Sequence, residues 1–269
     1  MGISSCAGGA VLDVRSGDTT RVDLGIRAGS IVAPADTSEA VEVDAGGLTV
    51  MFGLWDCHAH PGSLMCDPGA EGYFEDAASR TVQAGANLLG AATMGVTGVR
   101  TLGEADGIDL AWSRAYASGS SPGPWLLAAG QSVRTTGGHG TAHPREYLRS
   151  SEALVVDGPV EVRRAVRWLV ERGADWLKVL LTGGFYSEHE SVDGGQFADD
   201  ELVAGMETAH ARGIPVAAHC GSSQMARRFA ELGGRSVEHG YALDEAARPR
   251  WPAPAPGWSP PSQSPTTSR

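Results

Sequence analysis

From about residue 50 onward, short apolar runs alternate with segments in which apolar residues recur every three or four positions. Runs of the first kind fit strands buried on both faces, and segments of the second kind fit amphipathic helices. The alternation therefore predicts βα units around a parallel sheet. The strands predicted are residues 50–57, 97–102, 125–129, 176–181, 214–218 and 236–238. Val162, Ala165, Val166, Leu169 and Val170 place one apolar stripe on a helix opened by Pro159 and closed by Gly173. Met225, Phe229 and Leu232 do the same before Gly233. Six strands fall short of the eight that close a TIM-like (β/α)8 barrel, so the expectation is an incomplete α/β barrel over residues 51–247.

The flanks read differently. Residues 1–50 hold short β-rich runs (10–14, 22–26 and 40–43) separated by Gly, Asp and Ser turns, as in part of a small β-sandwich. Residues 248–269 carry seven of the 15 prolines and three arginines, with no Asp, Glu, Leu, Ile, Val, Met or Phe. No barrel strand can be written there, and disorder is expected. That composition is also what a shifted reading frame of a GC-rich gene would encode, so the barrel sequence is expected to be truncated at about Ala247.

The 269 residues, 42% hydrophobic, suffice for one barrel-sized domain with a small appendage. A net charge of −11 argues against nucleic acid, which is bound through clustered Lys and Arg. No apolar stretch approaches the roughly 20 residues that cross a bilayer. Cys6, Cys57, Cys66 and Cys220 show no C-x-x-C pairing, and the first residues lack a basic and apolar leader, so free thiols and a cytoplasmic location are expected.

His58 and His60 end the first apolar run, and an H-x-H pair on a strand aims both imidazoles to one side. Lys178 lies within Trp176-Leu177-Lys178-Val179-Leu180-Leu181, where an ammonium in a buried strand costs several kcal/mol unless something answers its charge. Three answers are open: a lowered pKa with Schiff-base chemistry, carbamylation by CO2 to an anionic metal ligand, or a nearby carboxylate. His219 follows Ile214-Pro215-Val216-Ala217-Ala218 and His239 follows Ser236-Val237-Glu238, each capping an apolar run where a barrel presents its ligands. The separations leave room to count Lys178 on strand four, His219 on five and His239 on six.

The stretches LTVMFGLWDCHAHPG, SPGPWLLAAGQSVRTTGGHG, ADWLKVLLTGG, GIPVAAHCG and SVEHGYALDE occur in that order across residues 48–247. With them the chain resembles the amidohydrolase superfamily, in its imidazolonepropionase and Xaa-Pro dipeptidase-like branch. Phe52 stands where that branch usually has Pro. The resemblance implies two divalent metal ions, zinc the first candidate: His58 and His60 on one, His219 and His239 on the other, and a carbamylated Lys178 bridging them. It implies hydrolysis of a C–N bond in a small amide or dipeptide, with His139 touching the substrate. It also implies a general-base Asp on strand eight, which residues 1–247 do not supply. Asp244 comes too early for that role, and Glu238 is expected to alternate to the face opposite its neighbour. The remaining histidines are read blandly: His143 and His189 as loop residues, His210 as a packing or capping residue on the helix 199–212. Glu188, Glu190 and Asp193 are read as a solvated acidic loop. A Schiff-base lyase using Lys178 and a non-catalytic fragment are the competing readings, and self-association of a longer form stays open.

Overall fold

The computed structural model describes residues 3–27, 30–33, 41–62, 76–140, 153–185 and 190–245. Two compact units emerge, Met1–Gly53 and Leu54–Arg269. The first holds β1 (Ile3–Ala7), β2 (Ala10–Leu12), β3 (Thr19–Arg21), β4 (Leu24–Arg27), β5 (Ser30–Val32), β6 (Val41–Asp44) and β7 (Thr49–Val50). They form one sheet of order β5-β4-β1-β6 and another of order β3-β2-β7. Its apolar side chains are largely in solvent: Val22, Ile26, Ile31, Val41 and Val43 are all exposed, and Ala45 is buried.

The second unit runs β8 (Leu54–Ala59), α1 (Ala77–Thr93), β9 (Val96–Thr101), α2 (Ile108–Ala117), β10 (Trp125–Leu127), β11 (Ser132–Arg134), β12 (Ala153–Val155), α3 (Gly158–Glu171), β13 (Leu177–Leu180), α4 (Asp199–Ala211), β14 (Val216–Ser222), α5 (Ser223–Glu231) and β15 (Ser236–Ala242). All six predicted barrel strands are present, and α3 and α5 fall on the two apolar stripes, with Gly173 and Gly233 at positive φ just beyond their ends. Asp76 caps α1 by accepting from the N–H groups of Ala78 and Ser79.

Among the described residues the strands do not close into a barrel, nor do they make one continuous incomplete one. They form two parallel sheets, of order β10-β9-β8 and β12-β11-β13-β14-β15. The reason lies between β10 and β11, where Gly130 takes φ +69°, which a glycine adopts without steric cost, and ends the run read from sequence as 125–129. The ladder is replaced by a side chain: Asp175 accepts from the N–H of Ala128 at 2.9 Å, and its own N–H donates to the carbonyl of Ala128 at 2.7 Å. The larger sheet is covered by α3, α4 and α5, whose Val162, Val166, Leu169, Leu202, Met206 and Phe229 pack with Leu177, Val179, Val216 and Ala218 in one core.

Candidate active site

The central strands β13 and β14 are buried along their whole length, and in their register Leu180 lies beside His219. Lys178 is 2% exposed, the largest of the fully buried side chains. Burial lowers its pKa to about 7; the Glu238 carboxylate works against that fall and the Arg100 guanidinium adds to it. His219 is buried at the middle of β14, not at its end as read from sequence, and its Nε2–H donates to the carbonyl of Gly183 at 3.1 Å.

From the smaller sheet, the end of β8 brings in His58, with His60 following directly. Their rings lie 5.2 Å apart, so the H-x-H pair does share a side. His60 Nδ1–H donates to the carbonyl of Gly103 at 2.7 Å, and Glu104, fully buried, accepts from the N–H of Gly62 beside it. The β15 strand completes the group: His239 stands 4.9 Å from His58 and 4.8 Å from His219, centroid to centroid. Four imidazoles from three strands and their extensions are thus neighbours, near enough to Lys178 for its charge to act on His60, His219 and His239.

Glu238 corrects the expectation drawn from strand alternation. It does not turn away from its neighbour: it is 7% exposed, and its carboxylate accepts from His58 Nδ1 and from Arg100 Nη2, each at 2.9 Å, and from the Ser236 hydroxyl. The cause is at His239, whose φ of +67° puts a non-glycine residue in the left-handed region, followed by Gly240 at +63°. A residue in that conformation breaks the two-residue period, so consecutive side chains both reach the histidine group. The β14–β15 register shifts at the same level, between Cys220 and Ser222.

Burial lowers the pKa of His60 to about 4, of His219 to about 3 and of His239 to about 4, with the neighbouring imidazoles and Lys178 adding to the fall. Burial alone would raise Glu238, but the bonds from His58 and Ser236 and the charges of Arg100 and Lys178 bring it down to about 2. His60, His219 and His239 are therefore neutral imidazoles near one ionised carboxylate.

His139 is also buried here, its ring stacked on His219 with centroids 4.1 Å apart. Its Nδ1 bonds to Glu190 at 2.7 Å, and Gln196 Oε1 accepts its backbone N–H at 2.8 Å. A side chain at Gly184 would collide with the His139 ring, so a glycine is needed to seat it. Glu190 is accordingly not the solvated loop residue expected: its side chain is 4% exposed and also accepts from the N–H of Gly184. Asp193 is exposed, as read. His210 is exposed in the last turn of α4 against Gly233, and Asp244 is exposed beside Arg227. His143, His189, Glu188, Cys66 and residues 248–269 lie outside the described residues.

The donor set suits a soft-to-borderline divalent metal in its chemistry. A ring nitrogen facing a carbonyl or carboxylate oxygen must carry the proton, so His58 and His60 are left with Nε2, and His219 with Nδ1, as the unprotonated nitrogen. Among the described residues no three His, Cys, Asp or Glu side chains converge on one point. The fit lies in ligand type, tautomer and proximity.

Arg100, Glu104 and Gln196 were not singled out from sequence, and Glu190 was named only as part of a solvated acidic loop. Arg100 could have been, because the argument made for Lys178 applies to it: a charged residue in the buried run Val99-Arg100-Thr101 must be answered, here by Glu238, the Cys57 carbonyl at 2.6 Å and the face of Trp176 at 4.5 Å. Nothing local marks Glu190 or Gln196, whose roles depend on a loop folding back over His139.

Residues 49–252 match the amidohydrolase family. Ochratoxinase of Aspergillus niger is 30% identical over 220 residues, covering 73% of this chain and 44% of that enzyme. A prolidase solved in complex with N-methylphosphonate-L-proline superposes with a TM-score of 0.80 at 30% identity, covering 91% of this chain and 62% of the other. A Xaa-Pro dipeptidase with methionine bound in its active site gives a TM-score of 0.76 at 28% identity, over 91% and 63% of the two chains. The chain thus spans less than half the length of the curated relative and somewhat under two thirds of these solved ones.

Proposed function

We propose that this chain, which belongs to the amidohydrolase family, carries the metal-binding face of a hydrolase that cleaves a C–N bond in a small amide, cyclic amide or dipeptide. The observation that carries the reading is the gathering of four imidazoles near a lysine that is 2% exposed. His58 and His60 would hold one divalent ion and His219 and His239 a second, with Lys178 between them. Bound there, the two ions, zinc the first candidate, would supply Lewis-acid polarisation of a carbonyl and a lowered pKa for water.

The chain's own residues do the rest. At a pKa of about 7 much of the Lys178 amine is uncharged near neutrality, so its Nζ can add to CO2 with release of one proton. The resulting carbamate is an anion, which removes the cost of an ammonium in a buried strand. Backbone carbonyls of Gly103 and Gly183 hold the tautomers of His60 and His219, and Glu238 holds that of His58. His139, stacked on His219, is assigned the substrate contact. No residue of this chain is assigned the general base.

Metal analysis of the purified chain should find about two divalent ions per monomer, and His58→Ala and His219→Ala should each remove much of that metal. A wild-type chain that holds none after zinc loading would overturn the reading. In a longer form that supplies the general base, Lys178→Ala should lose metal and activity, with partial rescue by a short carboxylic acid. A second reading, imine chemistry at Lys178, is favoured by the same low proton affinity of its amine. Borohydride trapping with a carbonyl substrate separates the two, since the hydrolase reading expects no adduct and gives the four histidines work.

A further inference from the structure

Among the described side chains with buried charge, Arg100 and Glu238 pair with each other at 2.9 Å beside the histidines, and the proposed hydrolase gives Arg100 no part. Both are largely out of water, at 8% and 7% exposure, and they belong to different sheets: Arg100 to β9, Glu238 to β15. Each is fixed at more than one point. Arg100 donates through Nε to the Cys57 carbonyl and through Nη2 to Glu238, and its guanidinium lies over Trp176. Glu238 accepts from Arg100 and Ser236 on Oε1, which leaves Oε2 for His58 Nδ1. The backbone of His239, at φ +67°, is what turns Glu238 inward at all. A strained backbone beside a buried ion pair needs compensation elsewhere, and a fixed acceptor for one imidazole is a specific return.

We infer that Arg100 and Glu238 form a positioning pair: the cation fixes the carboxylate, and the carboxylate fixes the proton of His58 on Nδ1, so that Nε2 is presented toward His60 and His239. Neither residue touches metal or substrate in this role. The inference rests on the hydrolase reading for its purpose, but the tautomer it assigns to His58 holds with or without metal.

Arg100 gives the inference its test. In Glu238→Gln the amide has one acceptor oxygen, and the buried guanidinium claims it because a cation cannot do without an acceptor. The amide NH2 then faces His58, whose Nδ1 must become the acceptor, and the proton moves to Nε2. In the double variant Arg100→Met with Glu238→Gln that claim is gone, and the oxygen can turn back to His58.

The measurement is nitrogen NMR of 15N-histidine-labelled, metal-free chain at alkaline pH, where imidazoles are neutral, with the His58 signals assigned by their loss in His58→Ala. The wild type should show the Nδ1–H pattern, Glu238→Gln the Nε2–H pattern, and the double variant a return toward Nδ1–H. Zinc affinity should fall about 10- to 100-fold in Glu238→Gln, the usual cost of losing such a partner, and recover in part in the double variant. A His58 that keeps its Nδ1 proton in Glu238→Gln would overturn the inference, and so would a wild type whose His58 carries its proton on Nε2. The wild-type spectrum decides alone if the variants fail to fold. Failure of the wild type to bind zinc would refute the hydrolase reading while leaving the tautomer result to stand or fall by its own spectrum.

Discussion

On β13 and β14 every side chain is buried, and the core formed with α3, α4 and α5 lies directly against them. On β8 the first four residues are exposed, and burial begins only at the histidine end. Lys178 and His219 are therefore held by packing, whereas His58 and His60 are held by single polar bonds to Glu238 and Gly103. A tightly packed strand cannot move its ligand without opening a void, while a ligand on a half-exposed strand is as well placed as its hydrogen-bond partner. The polar network around Arg100 belongs where packing is thin.

The difference should be largest in the response to truncation. Phe229→Ala, under the packed half, removes a fully buried ring and should cost about 3–5 kcal/mol. Trp55→Ala, on the 45% exposed side chain of β8, should cost about 1 kcal/mol, since only part of its surface leaves water. Denaturant midpoints at constant slope would measure both, and equal losses would dissolve the distinction.

The polar half should answer to the loss of a single acceptor. Fully buried Asp109 accepts from the Thr101 hydroxyl at 2.6 Å and from the N–H groups of Gly130 and Leu110, tying β9 to the turn after β10. Asp109→Ala should cost about 1–3 kcal/mol for the donors it strands. Burial raises the pKa of this carboxyl, and its hydrogen bonds only partly oppose the rise. The folded state thus binds its proton more tightly than the unfolded chain, and the stability this group contributes is full below the ordinary value of 3.8 and lost as pH rises through the raised one. Urea unfolding across that acid range should show wild type losing stability relative to Asp109→Asn as pH rises; the opposite slope would mean the carboxylate is better solvated than its burial implies.

Smaller effects test the seam and the surface. Asp175→Ala removes the side chain that joins the two sheets at Ala128 and should cost about 1 kcal/mol, with faster hydrogen exchange at the Ala128 amide as its specific sign. Arg163→Ala breaks a partly exposed pair with Glu207 at 3.7 Å, between α3 and α4, and should change stability by under about 0.5 kcal/mol. A larger loss in thermal melting would show that the packed half also leans on its surface charges.

What the sequence by itself determined is what repeats locally. The apolar runs, the helical stripes, the H-x-H pair and the lysine inside a buried run all follow from the two- and three-to-four-residue periods of strand and helix, and each of these features is present where it was read. Tertiary structure decided what those periods do not encode. The left-handed turn of His239 depends on how β15 meets the irregular end of β14, and it brought Glu238 to His58 against the alternation rule. The link between the two sheets depends on Asp175 reaching Ala128 across 47 residues of chain. Glu190 reached His139 from a loop 51 residues away. A local pattern fixes which way a side chain points relative to its own strand, but its partner is set by where a distant segment comes to rest, and a single φ of the wrong sign is enough to exchange the faces.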